Sequence, residues 1–228
     1  CAVHLDDIVV YSHNEEEHAN HLRRIFSLLE AAGLRLKVEK CFIGVNRMEL
    51  LGFEVTPDGI GPQNSKLDII DKMEVQSDKK TSIKAFLGLV RYYQRFIPYL
   101  ADLAKPLNDL LKKERSMSEY GKEQQKAVAE IKAAFKRTTT LKHFDPTKTN
   151  LLQTDASDYA MGAVLSQIGE DGKKYPVCYA SKQFTSSQRN YSVTEKEGLA
   201  VVWATDLFRT MLLGIQFTLQ TGHRALTE

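Results

Sequence analysis

Two adjacent carboxylates, Asp6 and Asp7, stand between two short apolar runs near the start of the sequence. The runs, at 2–5 and 8–11, predict a strand, a tight turn and a second strand. Such a hairpin would hold both carboxylates at one edge of a sheet, where a cation or solvent relieves their mutual repulsion. Mg²⁺ prefers oxygen ligands of this kind and bridges readily to phosphates. A simple polar turn is the alternative interpretation.

The elements that follow this hairpin can be read from the spacing of apolar residues. Helical spacing over 14–33, opened by a capping arrangement between Asn14 and Glu17, predicts one amphipathic helix. Further strands are predicted over 34–38 and 49–55, and a turn over 57–59. This part of the chain is therefore α+β.

The middle third is predicted to be helical, and the last third to return to strands. Apolar residues recur at helical spacing over 81–97, 100–110 and 120–135. Strand patterns then cover 150–154, 159–167 and 175–181, before a helix over 191–211 and a strand over 216–221. Three strands, a helix and a strand imply a second α/β unit with a mixed sheet.

Length and composition limit the class of protein. The 228 residues are enough for two cores, and 43% hydrophobic content excludes disorder as the main state. No apolar run approaches the roughly 18 to 20 residues that a membrane-spanning helix needs, so we expect no membrane partner. Three distant cysteines suit neither a zinc knuckle nor a disulfide framework. Because the first residue is Cys and 224–228 resemble the start of a helix, we expect a piece of a longer polypeptide.

The charge is unevenly distributed although the net charge is only +2. Residues 105–142 carry ten basic and five acidic side chains, and the rest of the chain is mildly acidic. A basic centre suits a polyanion lying across it. A solvated helical face is the alternative interpretation.

Several motifs occur in a fixed order along the chain. His4-Leu5-Asp6-Asp7 resembles the Y-x-D-D box of reverse transcriptases, with histidine in the tyrosine position. The later motifs are His18-x-x-His21-Leu22, Leu51-Gly52-Phe53, Tyr92-Tyr93-Gln94-Arg95-Phe96, Thr154-Asp155-Ala156-Ser157 and Thr194-Glu195-Lys196-Glu197. In this order and spacing, over nearly the whole chain, they resemble the gypsy-type LTR retrotransposon Pol polyprotein.

The resemblance implies three domains. Residues 1–62 would be the C-terminal part of a reverse transcriptase palm, 63–145 a helical thumb and connection, and 146–228 an RNase H-like mixed-sheet domain truncated at its C-terminus. The implied activities are RNA-directed DNA synthesis and cleavage of RNA in an RNA·DNA hybrid. The implied partners are an RNA template, a DNA primer, the RNA·DNA hybrid, deoxynucleoside triphosphates and the remaining polyprotein segments.

For the polymerase site, the resemblance implies that Asp6 and Asp7 help to hold two Mg²⁺ ions, or Mn²⁺ in their place. A further aspartate of such palms lies on a strand that would precede Cys1, so this chain would not complete the site alone. The implied nucleic-acid contacts are His4, Lys40, Gly52, Tyr92 and Arg95. Lys40 as a solvated lysine and Gly52 as an ordinary strand glycine are alternatives, and Tyr93 falls on the apolar stripe of its helix.

For the nuclease site, the resemblance implies Asp155 and Glu197 as catalytic metal ligands, from a strand end and a helix start. Glu197 matches the family's spacing better than Glu195, which also suits a helix N-terminal charge. The family's next acid is the aspartate of Thr-Asp-His, where this sequence has Gly222, and a fourth would lie past Glu228. We therefore expect weak or absent nuclease activity. A degenerate, non-catalytic remnant that binds nucleic acid is the alternative function.

Overall fold

The structure is a computed structural model that describes residues 1–138 and 140–222. Residues 139 and 223–228 lie outside it, and with them the helix start predicted at 224–228. The chain divides into two compact units, Cys1–Met48 and Glu49–Glu228. Among the helices of the described residues, none combines the length and apolar character that crossing a bilayer requires.

The first unit contains the predicted hairpin and a long helix. Strands β1 (Ala2–His4) and β2 (Asp7–Val9) pair antiparallel around a two-residue turn. Helix α1 (Glu15–Ala31) starts after Asn14, whose side chain accepts a hydrogen bond from the Glu17 amide at 2.9 Å. The capping arrangement predicted from the sequence is thus confirmed.

The strand predicted over 34–38 is wrong. Residues 34–37 have no regular structure, and Val38–Lys40 form one turn of 3₁₀ helix. The alternating residues that suggested a strand, Leu34 and Leu36, are exposed. Alternation produces a strand only where a neighbouring ladder and a packed face are available.

A three-stranded sheet follows, in the order β3–β4–β5. Its strands are β3 (Met48–Leu50), β4 (Phe53–Thr56) and β5 (Gly59–Pro62). The single strand predicted over 49–55 is therefore two strands, because Leu51 and Gly52 both have positive φ, at 49° and 78°, and form a turn. The predicted turn shortens to 57–58, since Gly59 already belongs to β5.

The middle of the chain is helical, as predicted. Its helices are α2 (Asn64–Lys72), α3 (Lys80–Tyr92), α4 (Leu100–Leu103), α5 (Lys105–Leu110) and α6 (Lys122–Lys136). The single helix predicted over 100–110 is two short helices, because Pro106 has no amide to continue the hydrogen-bond ladder. The helix predicted over 81–97 ends at Tyr92 and is followed by a 3₁₀ turn at Gln94–Phe96.

One hydrophobic core joins the helices to the three-stranded sheet. Ile83, Phe86 and Val90 on α3 are fully buried, at the spacing that predicted the helix. Phe53 of β4 and Ile60 of β5 pack against the same core. The sheet and the helical layer therefore support each other within the second unit.

The last third forms the predicted mixed sheet, in the order β8–β7–β6–β9. Its strands are β6 (Asn150–Ala156), β7 (Ala160–Ile168), β8 (Lys174–Gln183) and β9 (Phe217–Thr221). β7 is antiparallel to both β6 and β8, whereas β9 is parallel to β6. Helices α7 (Val193–Leu207) and α8 (Arg209–Leu212) make the crossover, so the helix predicted over 191–211 is split at Phe208.

Candidate active site

The first pair of predicted carboxylates lies at the tip of the β1–β2 hairpin. Asp6 is in the turn, and Asp7 begins β2 opposite His4. All three side chains are exposed. Leu5 has a φ of 51°, a left-handed conformation that costs a non-glycine residue about 1–3 kcal/mol. The hairpin thus presents two adjacent carboxylates to solvent on a strained turn, where a cation can reach them.

A hydrogen-bond network ties the end of this hairpin to α1. The Ser12 Oγ atom lies 2.9 Å from His21 Nδ1 and 3.2 Å from His18 Nδ1. The Glu17 carboxylate lies 3.7 Å from His21 Nε2. In the sequence these histidines serve only as motif positions, although their i, i+3 spacing on one helix face is a signal for a shared partner.

The Leu51–Gly52 turn is held by two tyrosines at the end of α3. The Tyr93 hydroxyl donates to the Gly52 carbonyl oxygen at 3.0 Å, and the Tyr92 hydroxyl donates to the Leu51 carbonyl oxygen. Phe53 stacks on Tyr92 with ring centres 5.3 Å apart and an interplanar angle of 9°. These hydroxyl contacts join residues 41 apart in the chain, so no local sequence pattern predicts them.

The two tyrosines differ in exposure, and this decides what each can contact. Tyr93 is 1% exposed, as its place on the apolar stripe predicts, and burial raises the pKa of its hydroxyl. Tyr92 is 52% exposed. A Cβ added at Gly52 would lie 3.1 Å from the Tyr93 hydroxyl oxygen, so glycine gives the turn its close fit to α3. Only Tyr92 of this pair therefore has surface to offer a ligand.

Arg95 and Lys40 stand in different surroundings from Tyr92. Arg95 is half-buried, with its guanidinium 5.9 Å from the centre of the Phe96 ring. Burial raises the pKa of the Cys178 thiol on β8, and the charge of Arg95 opposes that rise. Arg95 thus lies against β8, whereas Lys40 is exposed at the end of its 3₁₀ turn. Nucleic-acid contacts by Arg95 and Lys40 stay predictions.

Several cations of the basic segment are used within the protein. Lys112 lies 2.6 Å from Asp109, and Lys136 lies 2.8 Å from Asp71. The Lys136 ammonium lowers the pKa of the Asp71 carboxyl through their hydrogen bond. Lys132 donates to main-chain carbonyl oxygens at the end of α2, at 2.8 and 2.7 Å. Fewer positive charges are therefore available to a polyanion than the count over 105–142 suggests.

The positions of the second pair of predicted carboxylates, Asp155 and Glu197, depend on how α7 packs on β6. Ala200, in the middle of α7, packs with Met161, whose antiparallel partner Ala156 ends β6. Ala204, one turn later, packs with Leu152, earlier in β6. Helix α7 therefore runs antiparallel to β6, and its first turns lie at the carboxyl end of that strand.

Three predicted positions lie at this end of the sheet. Asp155 is exposed at the end of β6, and Gly222 directly follows the adjacent parallel strand β9. A Cβ added at Gly222 would lie 3.9 Å from Asp155 Oδ1. Glu197, one turn before Ala200, is 5% exposed.

The carboxylates reach the end of the sheet from its two faces. Because side chains alternate along a strand, Asp155 points away from the α7 face that Ala156 helps to form. Glu197 approaches on the α7 side. Within the ranges that the structure describes, no three His, Cys, Asp or Glu side chains form a group that could hold a metal ion. Gly222 adds no carboxylate at the position that approaches Asp155.

The first turn of α7 is fixed by a capping box. The Ser192 hydroxyl accepts a hydrogen bond from the Glu195 amide at 3.3 Å, and the Glu195 carboxylate accepts one from the Ser192 amide at 2.8 Å. Hydrogen bonds from the Ser192 amide and hydroxyl lower the pKa of the Glu195 carboxyl. Glu195 therefore caps the helix, whereas Glu197, two residues later, takes no part in the capping box.

Replacing Ser192 by alanine is expected to lower the free energy of unfolding by about 1 kcal/mol at pH 7. A carboxyl with a lowered folded-state pKa stabilises above its unfolded pKa and loses that contribution as the pH falls through the folded value. The effect of Ser192→Ala should therefore shrink at acid pH. Urea unfolding at pH 7 and pH 3 measures it, and Ser186→Ala in an exposed turn is the control. Equal losses for both variants would contradict the capping role.

Two family models match the chain. Residues 1–55 match a model described as reverse transcriptase (RNA-dependent DNA polymerase). Residues 120–219 match one described as an RNase H-like domain found in reverse transcriptase. The matched segments contain the β1–β2 hairpin and most of the mixed sheet with α7.

Curated relatives match almost the entire chain. The retrovirus-related Pol polyprotein from transposon 297 of Drosophila melanogaster is 41% identical over 226 residues, which cover 99% of this chain and 21% of the relative. The transposon Tf2-3 polyprotein of Schizosaccharomyces pombe is 36% identical over 225 residues, covering 98% of this chain and 17% of the relative. The chain thus spans about a fifth of the length of these relatives.

Solved structures share the fold. The foamy viral protease-reverse transcriptase in complex with RNA/DNA hybrid matches with a TM-score of 0.79 and 22% identity, covering 97% of this chain and 30% of that one. A second structure of the foamy viral protein, in complex with double-stranded DNA, matches with a TM-score of 0.82 and 22% identity. The match covers 97% of this chain and 39% of that one. Motif order, fold and relatives agree: the chain belongs to the reverse transcriptase and RNase H region of the LTR retrotransposon Pol polyproteins.

Proposed function

We propose that this chain is part of an enzyme that synthesises DNA on an RNA template and cleaves the RNA strand of RNA·DNA hybrids. The observation that carries the proposal is the approach of position 222 to Asp155 at the carboxyl end of β6, where the first turns of α7, with Glu197, also lie. In a mixed sheet of this order, that end collects side chains from a strand, a helix and a second strand. Such a convergence suits phosphodiester chemistry better than a purely structural role.

The donor sets suit Mg²⁺, or Mn²⁺ in its place, held together with substrate. Mg²⁺ usually keeps several waters and binds through one or two carboxylates plus substrate phosphates. Asp6 and Asp7 at the hairpin, and Asp155 with Glu197 at β6, would provide such carboxylates. When bound, the metal would activate the attacking primer hydroxyl or water and stabilise the leaving oxygen.

The partners we propose are nucleic acids and nucleotides. In the first unit, an RNA template and DNA primer would approach the hairpin. In the second unit, the exposed face of Tyr92 beside the Leu51–Gly52 turn is available for stacking or sugar contact. Deoxynucleoside triphosphates would serve the polymerase site, and the RNA·DNA hybrid the nuclease site. The complexes of the foamy viral protein with RNA/DNA hybrid and with DNA support nucleic-acid partners.

In this chain the nuclease half is incomplete among the described residues, because Gly222 provides no carboxylate. The alternative of a non-catalytic remnant is nevertheless not favoured, since both the reverse transcriptase and the RNase H-like models match. The other polyprotein segments are proposed partners because the relatives are about five times longer than the chain.

Hybrid binding by the chain is expected to be sensitive to salt. Each phosphate neutralised by a lysine or arginine adds about 0.9 to the log–log salt slope. With two or more such contacts, affinity should fall about tenfold or more between about 50 and 200 mM salt. Fluorescence anisotropy with a labelled RNA·DNA hybrid measures this dependence. Binding that is indifferent to salt over this range, or absent, would contradict the proposal.

A further inference from the structure

A buried lysine lies beside the candidate nuclease site. Lys196 is in the first turns of α7, next to Glu197, and its side chain is 8% exposed. Its ammonium nitrogen is 3.0 Å from the carboxylate of Asp158, whose side chain is 98% exposed. Asp158 lies in the turn between β6 and β7, three residues after Asp155. A cation therefore stands at the same end of the sheet as the candidate carboxylates.

This arrangement is a poor one for stability. Burying an ammonium group is costly unless its partner compensates well. A lysine near the start of a helix also opposes the positive end of the helix dipole. The compensating carboxylate of Asp158 is fully hydrated, and exposed ion-pair partners stabilise weakly. A buried ammonium group that costs stability without a compensating structural gain indicates a functional role for Lys196.

Binding of a phosphate at the candidate nuclease site is a role that would require a cation here. Carboxylates at the end of β6 repel an approaching phosphodiester, so a nucleic acid binds there only if cations offset the repulsion. Two other cations of this region already lie over the Tyr159 ring, Arg189 at 4.6 Å and Lys105 at 5.3 Å from its centre. The ammonium of Lys196 has three donors, and a hydrogen bond to Asp158 uses one.

We propose that Lys196 is a phosphate-binding residue that exchanges the Asp158 carboxylate for a backbone phosphate of the RNA·DNA hybrid. Asp158 holds the ammonium in place when nucleic acid is absent and moves into solvent when the phosphate arrives. The step exchanges ion-pair partners and makes or breaks no covalent bond. It rests on the proposed function, because it requires a hybrid at the carboxyl end of β6.

The test is hybrid binding by the full chain, measured by fluorescence anisotropy between about 50 and 200 mM salt. Asp158→Asn removes the competing carboxylate and should raise affinity about three- to tenfold. Lys196→Met should lower affinity for all hybrid sequences and reduce the log–log salt slope by about 1. In the double variant, the gain from Asp158→Asn should disappear.

The chain offers a matched control pair. Lys173 and Asp171 lie 3.5 Å apart in the β7–β8 turn, at the opposite end of the sheet. Asp171→Asn and Lys173→Met make the same charge changes, and each should alter hybrid affinity less than about twofold. Equal effects of the two pairs would show that only net charge matters, and would overturn the proposal.

Two further outcomes separate the proposals. If Lys196→Met does not fold, Asp158→Asn still decides, because it keeps the lysine: unchanged or weaker binding overturns the exchange. If the wild-type chain binds hybrid and Lys196→Met has the same log–log salt slope as the wild type, only the role of Lys196 is overturned. A wild-type chain that does not bind hybrid overturns the proposed function together with it.

Discussion

Replacing Gly222 by aspartate is expected to increase the affinity of the chain for Mn²⁺ at least about tenfold, or about 1.4 kcal/mol. A Cβ at this position would lie 3.9 Å from Asp155 Oδ1, an ordinary contact distance, and Gly222 does not have a left-handed φ. A Cβ is therefore accommodated at this position without backbone strain. A second carboxylate beside Asp155 provides the paired oxygen ligands that a hard divalent cation needs.

Isothermal titration with Mn²⁺ measures this gain. Gly222→Asn has the same shape without the charge and should show no gain, and Asp155→Asn combined with Gly222→Asp should abolish it. A gain that survives Asp155→Asn would place the ion elsewhere. We expect no appreciable Mg²⁺-dependent hybrid cleavage by the unmodified chain, and metal binding without full rate after Gly222→Asp. Robust turnover by the unmodified chain would contradict the ligand assignment.

Replacing Gly59 by alanine is expected to lower the free energy of unfolding of the second unit by about 3 kcal/mol or more. Gly59 has a φ of 150°, and its Cβ would lie 2.0 Å from the Leu141 carbonyl oxygen. That oxygen accepts a hydrogen bond from the Ile60 amide at 2.8 Å, and the Leu141 amide donates to the Ile60 carbonyl oxygen at 2.9 Å. Because the clash is with backbone, relieving it breaks this bridge.

Gly61 provides the control for Gly59, since it lies in the same strand. A Cβ at Gly61 would have no heavy atom within 4 Å, and its φ is not left-handed. Gly61→Ala should therefore change stability by no more than about 1 kcal/mol in either direction. Urea unfolding followed by circular dichroism compares the two variants. Similar losses for both would show that close backbone approach at Gly59 is not what makes glycine necessary.

The elements that the sequence predicts well are those with long periodic patterns. Ile83, Phe86 and Val90 repeat at helical spacing and are fully buried in α3. By contrast, β5 contains two glycines and a proline, so its sequence has little strand character. It forms because it pairs antiparallel with β4, and Ile60 also bridges to Leu141, a partner that lies far along the chain. The sequence does not predict helix α2, because this helix is short and buries only Ile70, which leaves little apolar pattern to indicate a helix.

In the candidate site too, some features can be predicted from the sequence and others depend on contacts between distant residues. The motif residues Asp6, Asp7, Asp155 and Glu197 stand out from their sequence context. Contacts between distant residues do not, such as the pairing of Lys196 with Asp158 or of Tyr93 with Gly52. Those contacts arise only when the fold brings strand ends and helix starts together. Sequence patterns therefore indicate candidate residues for chemistry, and the structure adds the contacts between residues that are distant in the chain.

A crystal structure of the Gly222→Asp chain with Mn²⁺ and a short RNA·DNA hybrid would decide whether these acids form one site. We expect an anomalous Mn²⁺ signal at the carboxyl end of β6, in contact with Asp155, with the introduced carboxylate and with a phosphate of the hybrid, and with Glu197 beside it. Mn²⁺ bound elsewhere, or a hybrid lying on another surface of the mixed sheet, would contradict the assignment.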